Sequence, residues 1–382
     1  MSLNRRHLLR TALLAGGSAA LPWSLAGAKP TPSPLPPPSA PSSTPPSTQS
    51  ASQPAQSASQ QSTPAQGQSI NDQLKGYLQG LHDPVITKAD GLYHVFGSGG
   101  WTGKPGISWR VSPDLFNWTD NGSPIDAVPD WALRAIPGAN SIWAPDISFY
   151  NGLYRLYYAV STGGSMRSVI GFATNPTLDK SSPHYRWTDH GLVTETFVGG
   201  TYNAIDPTFV VDRQGGCWLA FGSYWSGLKL MPLDPRTGQP RPGDKTLHSI
   251  AYRPAPEGGD NPIEGAFVFV HEKAYYLFAS YDYCCKGLKS NYYVAVGRSE
   301  HIIGPYVGRD GKPLMEGYGT AVLIEKPWAS TRWRGPGHCG LMHDGVRDLM
   351  VYHAYDAQNN AQPTLRISEV TWDADGWPHV SA

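Results

Sequence analysis

Cysteine is scarce in this chain, with 4 residues in 382. They stand as Cys217, the adjacent pair Cys284–Cys285, and Cys339, and no C-x-x-C spacing occurs. That spacing argues against a thiolate zinc site. In an oxidising compartment it leaves a Cys284–Cys285 vicinal bridge, a Cys217–Cys339 bridge, or buried free thiols. Excess charge is missing too: 30 basic residues balance 30 acidic ones, with no basic block. A nucleic-acid partner is therefore not expected. No segment carries sustained helical periodicity, Asp72–Leu78 excepted. No compact D-x-D-x-D loop offers calcium several oxygens close in sequence. The glycine cluster Gly97-Ser98-Gly99-Gly100 lacks the lysine and following helix of a phosphate loop, so it reads as a plain connection.

The N-terminal 69 residues lack the means to build a core. Residues 1–28 read as an export signal, with Arg5-Arg6 ahead of an apolar stretch and Ala26-Gly27-Ala28 as cleavage site. The run Asn4-Arg5-Arg6-His7-Leu8-Leu9 resembles the twin-arginine type. Gly16, Gly17 and Pro22 interrupt the stretch, which disfavours a permanent membrane helix. The mature chain is expected in the periplasm or outside the cell, without stable membrane insertion. Residues 29–69 are Pro, Ser, Thr, Ala and Gln with no aromatic residue, a composition that cannot repay its ordering entropy and reads as a tether. Residues 70–382 are then the folded domain.

What that domain has is aromatics and repetition. Most of the 13 Trp and 20 Tyr lie in it. Five segments share one order: a polar residue, a short apolar run, a turn, and an aromatic strand. The openers are Asp83, Asp146, Asp206, Glu264 and His338. The aromatic strands begin at Tyr93, Tyr154, Trp218, Tyr275 and Leu349 and recur about every 60 residues. Asp90-Gly91 and Asn151-Gly152 between alternating runs are strong hairpin signals. Further strands follow at Ile107–Val111, Val169–Ala173, Leu228–Pro232, Tyr293–Val296 and Leu365–Val370, and Trp-Thr-Asp-x-Gly elements recur at Trp118 and Trp187. Four strands per repeat and five repeats predict an all-β fold, a five-bladed β-propeller, rather than a sandwich or a parallel solenoid. The first strand of each blade is innermost, so the five openers converge on the mouth of the central channel.

Gathering three Asp and one Glu at one mouth costs free energy through like-charge repulsion and desolvation. Glycoside hydrolysis uses such a set: a carboxylate base, a carboxylic acid of raised pKa, and a neighbour that tunes it. At these residues the sequence resembles glycoside hydrolase family 43, and within it the endo-1,5-α-L-arabinanase branch. The resemblance rests on His82-Asp83-Pro84, Trp143-Ala144-Pro145-Asp146, Tyr202-Asn203-Ala204-Ile205-Asp206-Pro207, Gly222-Ser223-Tyr224-Trp225-Ser226-Gly227, Arg253-Pro254, Ile263-Glu264, Tyr283-Cys284-Cys285-Lys286-Gly287, Gly335-Pro336-Gly337-His338 and His353-Ala354-Tyr355-Asp356-Ala357. Their order and spacing, running from about residue 80 to the C-terminus, are specific as a set.

The resemblance implies a propeller that cleaves arabinan and arabino-oligosaccharides with inversion. It implies Asp83 as general base, Glu264 as general acid, and Asp206 as the anion that raises the pKa of Glu264 and orients it. His338 is implied to face a calcium ion held largely through waters; a histidine bonded to the ring carboxylates is the plainer alternative. Asp146 either shares that water shell or caps its strand end. Implied substrate contacts are Ser141, Asn203, Ala204, Ile205, Ser223, Tyr224 and Trp225. Trp101 and Trp143 are sugar platforms or core, and Arg366 is a hydroxyl donor or a structural ion pair. Two departures are Ala266-Phe267 after Glu264-Gly265, where a proline is expected, and Cys339-Gly340 after His338. The competing readings are an exo-acting arabinofuranosidase or β-xylosidase on the same fold, and a non-catalytic carbohydrate-binding propeller. A monomer is expected.

Overall fold

The structure, a computed structural model, describes residues 69–255, 260–325 and 332–381. The export signal at 1–28 and the tether at 29–69, Ser69 excepted, lie outside the described residues. The described residues form five antiparallel sheets, four of them four-stranded and the first extended to five. Each sheet runs in chain order from its first strand outward. The innermost strands are Val85–Ala89, Trp143–Tyr150, Thr208–Val211, Ile263–His271 and Trp333–His343. Each packs against the next in that order, and the fifth packs against the first, so the ring is closed.

Strand alternation explains the closure. Successive side chains of a strand point to opposite faces. In blade two, Leu156 and Tyr158 pack with Phe96 and Trp109 of blade one, whereas Tyr157 packs with Phe209 and Leu219 of blade three. In blade four, Tyr275, Leu277, Ala279 and Tyr281 face blade three, and Tyr276 and Phe278 face blade five. Blade five does the same, with Leu349 and Val351 toward blade one and Met350 and Tyr352 toward blade four. Every inter-blade seam thus holds its own apolar cluster, and each fully buried large side chain contributes about 1.5–3 kcal/mol.

The seam between blades five and one is reinforced by the segment that precedes the first blade. Ile70, Leu74, Leu78 and Leu81 pack with Val351, Leu365 and Ile367 of blade five and with Val95 and Trp118 of blade one. Asn71 accepts the Ile367 N–H at 2.8 Å, and the buried Arg110 donates to the carbonyls of Tyr77 at 2.8 Å and Gln79 at 2.7 Å. The helix here is Ile70–Gln73, capped by Ser69, rather than Asp72–Leu78. Lys75–Gly76 instead adds a parallel strand to the outer edge of blade one. A second short helix, Asp130–Ala135, lies in the connection to blade two. The hairpins at Asp90-Gly91 and Asn151-Gly152 form as expected, with all four residues in the left-handed region that such turns need.

Candidate active site

A left-handed residue sits at or beside each of the five openers. Asp83, Asp206 and His338 adopt φ of 52°, 58° and 47° themselves, Gly265 follows Glu264 at 59°, and Ala144 precedes Asp146 at 39°. In blades two, four and five the pairing register shifts at the same place. Such kinks cost about 1–3 kcal/mol each outside glycine, and they re-aim the adjacent side chain.

Four of the openers meet. His338 Nδ1 lies 3.0 Å from Asp83 Oδ1. A Cβ on Gly265, the residue after Glu264, would lie 3.2 Å from the same nitrogen. Asp206 Oδ2 accepts the Gly265 N–H at 3.2 Å. The base candidate and the backbone next to the acid candidate therefore flank one imidazole, whose charge acts on both carboxyls. Asp146 plays a different part: it is buried, and its Oδ2 accepts the Phe209 N–H of blade three at 2.8 Å. It caps the neighbouring blade's inner strand.

The surroundings of Asp83 favour its anion. Oδ1 lies 2.7 Å from His82 Nδ1, and Oδ2 accepts a 2.6 Å bond from Ser98. Burial alone would raise its pKa, but the charges of His82 and His338 overturn that and hold it well below the ordinary carboxylate value. The two histidines respond in kind. Burial works against their charge, yet Asp83 holds His82 up to about 10 and His338 up to about 9. His353, fully buried, is pushed down by burial and by His82. It stays neutral, and its Nδ1 accepts the Asp83 N–H at 3.2 Å. The His82 ring is clamped between Trp101 at 4.6 Å and His353 at 3.7 Å, with Tyr355 OH 2.8 Å from its Nε2.

Glu264 shifts the other way. Burial raises its pKa, the Cys285 thiol adds to this, and donors from Ser223 to Oε2 at 2.7 Å and Tyr292 to Oε1 at 2.9 Å oppose it. Asp206 is raised as well, to about 8, by burial first and by the Glu264 and Asp83 charges, against His338. The resemblance implied an anionic Asp206 beside Glu264; burial raises both carboxyls, and at Asp206 the Glu264 and Asp83 charges add to the rise.

Beside Glu264 opens a groove of ≈ 740 Å³, lined among others by Trp143, Asn203, Ile205, Ser223, Tyr224, Trp225, Tyr283 and Cys285. Of the expected substrate contacts, Ala204 is fully buried in the seam between blades two and three. Ser141 is buried and accepts the Trp143 indole N–H at 3.0 Å. Arg366 is not among the residues lining this groove; its guanidinium lies 4.0 Å from the Trp333 ring centroid, so it packs within blade five. Trp101 keeps 39% of its surface exposed while stacking on His82. His82, Ser98, Tyr292, His353 and Tyr355 were not singled out in advance. His82, His353 and Tyr355 carried a signal as members of His82-Asp83-Pro84 and His353-Ala354-Tyr355-Asp356-Ala357, and Tyr292 carried none.

All four cysteines are free thiols. Cys217 and Cys339 belong to different seams, which excludes the bridge between them considered above. Cys284 and Cys285 place their sulfurs 2.7 Å apart at the active site without a bond.

Residues 78–378 match the family described as Glycosyl hydrolases family 43. The chain belongs to this family. The extracellular endo-α-(1→5)-L-arabinanase 1 of Bacillus subtilis is 39% identical to this family 43 protein over 300 residues, 78% of this chain and 87% of the relative. An extracellular exo-α-(1→5)-L-arabinofuranosidase of Cellvibrio japonicus is 37% identical over 308 residues, 78% of this chain and 86% of the relative. Among solved structures, a family 43 endo-arabinanase from Bacillus licheniformis superposes with a TM-score of 0.72 at 40% identity, covering 80% of this chain and 99% of that one. This family 43 protein is thus a glycoside hydrolase built as a five-bladed propeller.

The family resemblance brings in a calcium ion at His338, and the donor set fits one. A metal-binding histidine usually donates its other ring N–H to a carboxylate. His338 Nδ1 lies on Asp83, which leaves Nε2 for a cation that would take the place of its proton, and the carboxyls around it favour positive charge. With a single nitrogen donor, a hard ion there takes its remaining oxygens from water.

Proposed function

We propose that this protein is an exported, inverting endo-1,5-α-L-arabinanase. The observation that carries the reading is the opposite displacement of two carboxylic groups around one imidazole: Asp83 is held anionic and Glu264 is pushed toward its protonated form. Opposed shifts within one cleft divide the roles of base and acid.

Asp83 takes a proton from water as the oxygen of that water attacks the anomeric carbon. Glu264 gives its proton to the departing glycosidic oxygen, and the carbon–oxygen bond breaks with inversion. Oδ2 of Asp83 bears one donor, Ser98, and keeps a lone pair for the water. Ser223 and Tyr292 hold the Glu264 carboxyl in place and stabilise the anion left after transfer. Asp206, a second carboxyl beside Glu264, disfavours its early ionisation when charged. His338 would hold calcium mainly through its water shell, and the ion would supply fixed positive charge among the carboxylates. The aromatic walls Trp143, Tyr224, Trp225 and Tyr283 offer flat apolar faces to furanose rings, and an open groove suits an internal stretch of polymer.

The named relatives include both an endo- and an exo-acting protein. Product analysis on linear arabinan decides: oligosaccharides appear first if the reading is right, and arabinose alone from the earliest times would assign exo action. Asp83→Ala and Glu264→Ala should each abolish hydrolysis with the fold intact; undiminished turnover in either refutes the assignment. Export through the Arg5-Arg6 signal agrees with relatives named extracellular.

A further inference from the structure

The mechanism leaves two thiols unused at the centre of the site, beside the histidine that holds Asp83. Cys284 Sγ, Cys285 Sγ and His82 Nε2 all lie within 4.8 Å of one another. Cys285 Sγ is 3.8 Å from His82 Nε2 and 2.7 Å from Cys284 Sγ. Cys284 Sγ is in turn 3.4 Å from Glu264 Oε1. Thiol, thiol and imidazole thus form a bridge from the general acid to the histidine that holds the general base.

The three donors are built in rather than adrift. His82 is buried, and its ring is fixed by the stack with Trp101 and His353. Cys285 adopts a left-handed φ of 62°, and its N–H donates to Tyr355 OH at 2.8 Å. The following turn, Gly287–Lys289, is tied back by the Lys286 N–H to Ser290 Oγ at 3.0 Å. Cys285 also lines the groove, so a small ligand reaches the sulfurs from solvent.

We propose that Cys284, Cys285 and His82 form a binding site for a thiophilic d10 cation such as Zn²⁺ or Cd²⁺, and that its occupancy shuts off hydrolysis. Two sulfurs and one imidazole nitrogen are the donor set such ions select over oxygen-rich sites. His82 donates its Nδ1–H to Asp83, which leaves Nε2 as the ring nitrogen for the metal once its proton is given up, the arrangement usual for a metal-bound histidine. Binding exchanges the Tyr355 hydrogen bond at Nε2 for the metal and releases two protons to solvent, one from the His82 imidazolium and one from the Cys284 thiol; Cys285, lowered to about 5 by its hydrogen bonds with Cys284 and His82, enters as the thiolate. Zinc–sulfur bonds of about 2.3 Å at the tetrahedral angle set sulfurs about 3.8 Å apart, so the thiol pair opens by about 1 Å. The fourth position falls toward Glu264 Oε1, the nearest further donor to Cys284. A carboxylate bound to a cation carries no proton, so the acid is lost. The inhibitory consequence rests on the hydrolytic reading; the binding itself does not.

The test uses the full exported chain with all thiols reduced and the reductant removed. Titration with Cd²⁺ should give an ultraviolet thiolate-to-cadmium charge-transfer band that saturates at one equivalent. Arabinan hydrolysis should fall in parallel and return on adding a chelator. Cys284→Ser and Cys285→Ser should each lose the band, and their residual hydrolysis should ignore Cd²⁺. Cys217→Ala, altered in a distant seam, should keep the band. The absence of a band at stoichiometric Cd²⁺, or its survival in the Cys284→Ser, Cys285→Ser double variant, overturns the site. So does a count of two free thiols rather than four in the denatured, unreduced protein, because a Cys284–Cys285 disulfide has no thiolates to offer. A band without loss of hydrolysis overturns the inhibitory role, and a band in a chain that never hydrolyses arabinan overturns only the hydrolytic reading.

Discussion

Ser223→Ala removes one hydroxyl and tests how the acid is tuned. Ser223 Oγ donates to Glu264 Oε2 at 2.7 Å, in a position where both groups are buried. A hydrogen bond to a buried carboxylate favours the charged form by about 1.5–3 kcal/mol. One pKa step corresponds to about 1.4 kcal/mol, so the loss raises the Glu264 pKa by about one to two units. The sign follows from the donor: it stabilises the anion, and without it the acid holds its proton to higher pH. The alkaline limb of kcat/KM, which reports the free enzyme, should move upward by that amount while the acidic limb, set by Asp83, stays put. Asp206→Asn supplies the opposite arm. It removes a neighbouring carboxylate whose charge disfavours ionisation, so the alkaline limb should move down. The assay is initial-rate hydrolysis of arabinan across pH for parent and both variants. An alkaline limb that moves the same way in both, or not at all, refutes the assignment of that limb to Glu264.

Three further outcomes follow from other contacts. Ser98→Ala deletes a hydroxyl that donates to Asp83 at 2.6 Å and accepts the Ala144 N–H at 2.7 Å. The acidic limb should rise, and a buried N–H left unpaired should cost about 1–3 kcal/mol in denaturant unfolding. Burial lifts the Asp146 carboxyl to about 7, above its unfolded value of 3.8, with the Phe209 N–H opposing. The folded state then keeps a proton that the unfolded chain has lost, so the contribution of Asp146 to stability is present at low pH and falls as pH rises through about 7. Relative to the parent, Asp146→Asn should gain about 2–3 kcal/mol between pH 5 and pH 8; parallel curves would contradict this. Elemental analysis of the purified protein should find stoichiometric calcium, lost in His338→Ala and on chelation with a fall in activity; an ion-free, chelator-insensitive enzyme removes the ion from the mechanism.

The blades were legible in the sequence because each repeats the same two signals, an alternating aromatic strand and a tight turn before it, glycine-bearing in all but blade four, where Glu272-Lys273 makes it. The openers were legible because they sit at a fixed place ahead of those signals. The partners of the openers were not. Ser98, Tyr292 and His353 lie 15, 28 and 270 residues from the groups they bond. His353 lies in the second strand of blade five, and Ser98 and Tyr292 flank the strands Leu92–Gly97 and Tyr293–Ser299, so only strand pairing reveals the match. The helix Asp130–Ala135 escaped because six residues with a single buried member, Ala132, give no periodic signal. Arg366 stayed open between a sugar donor and a structural ion pair because residue type suits both, and only the fold shows its guanidinium on Trp333. The upward pull of burial on the Asp206 carboxyl was not legible, because sequence does not show burial.

The left-handed kinks at the channel mouth separate two jobs that most active sites combine. Direction is fixed by the main chain, through a bend repeated in all five blades. Identity is left to the letter written at or beside the bend: Asp in three blades, Glu in one, His in another. A propeller of this kind works like a holder with five interchangeable tips, and a new chemistry on it calls for new tips before it calls for a new frame.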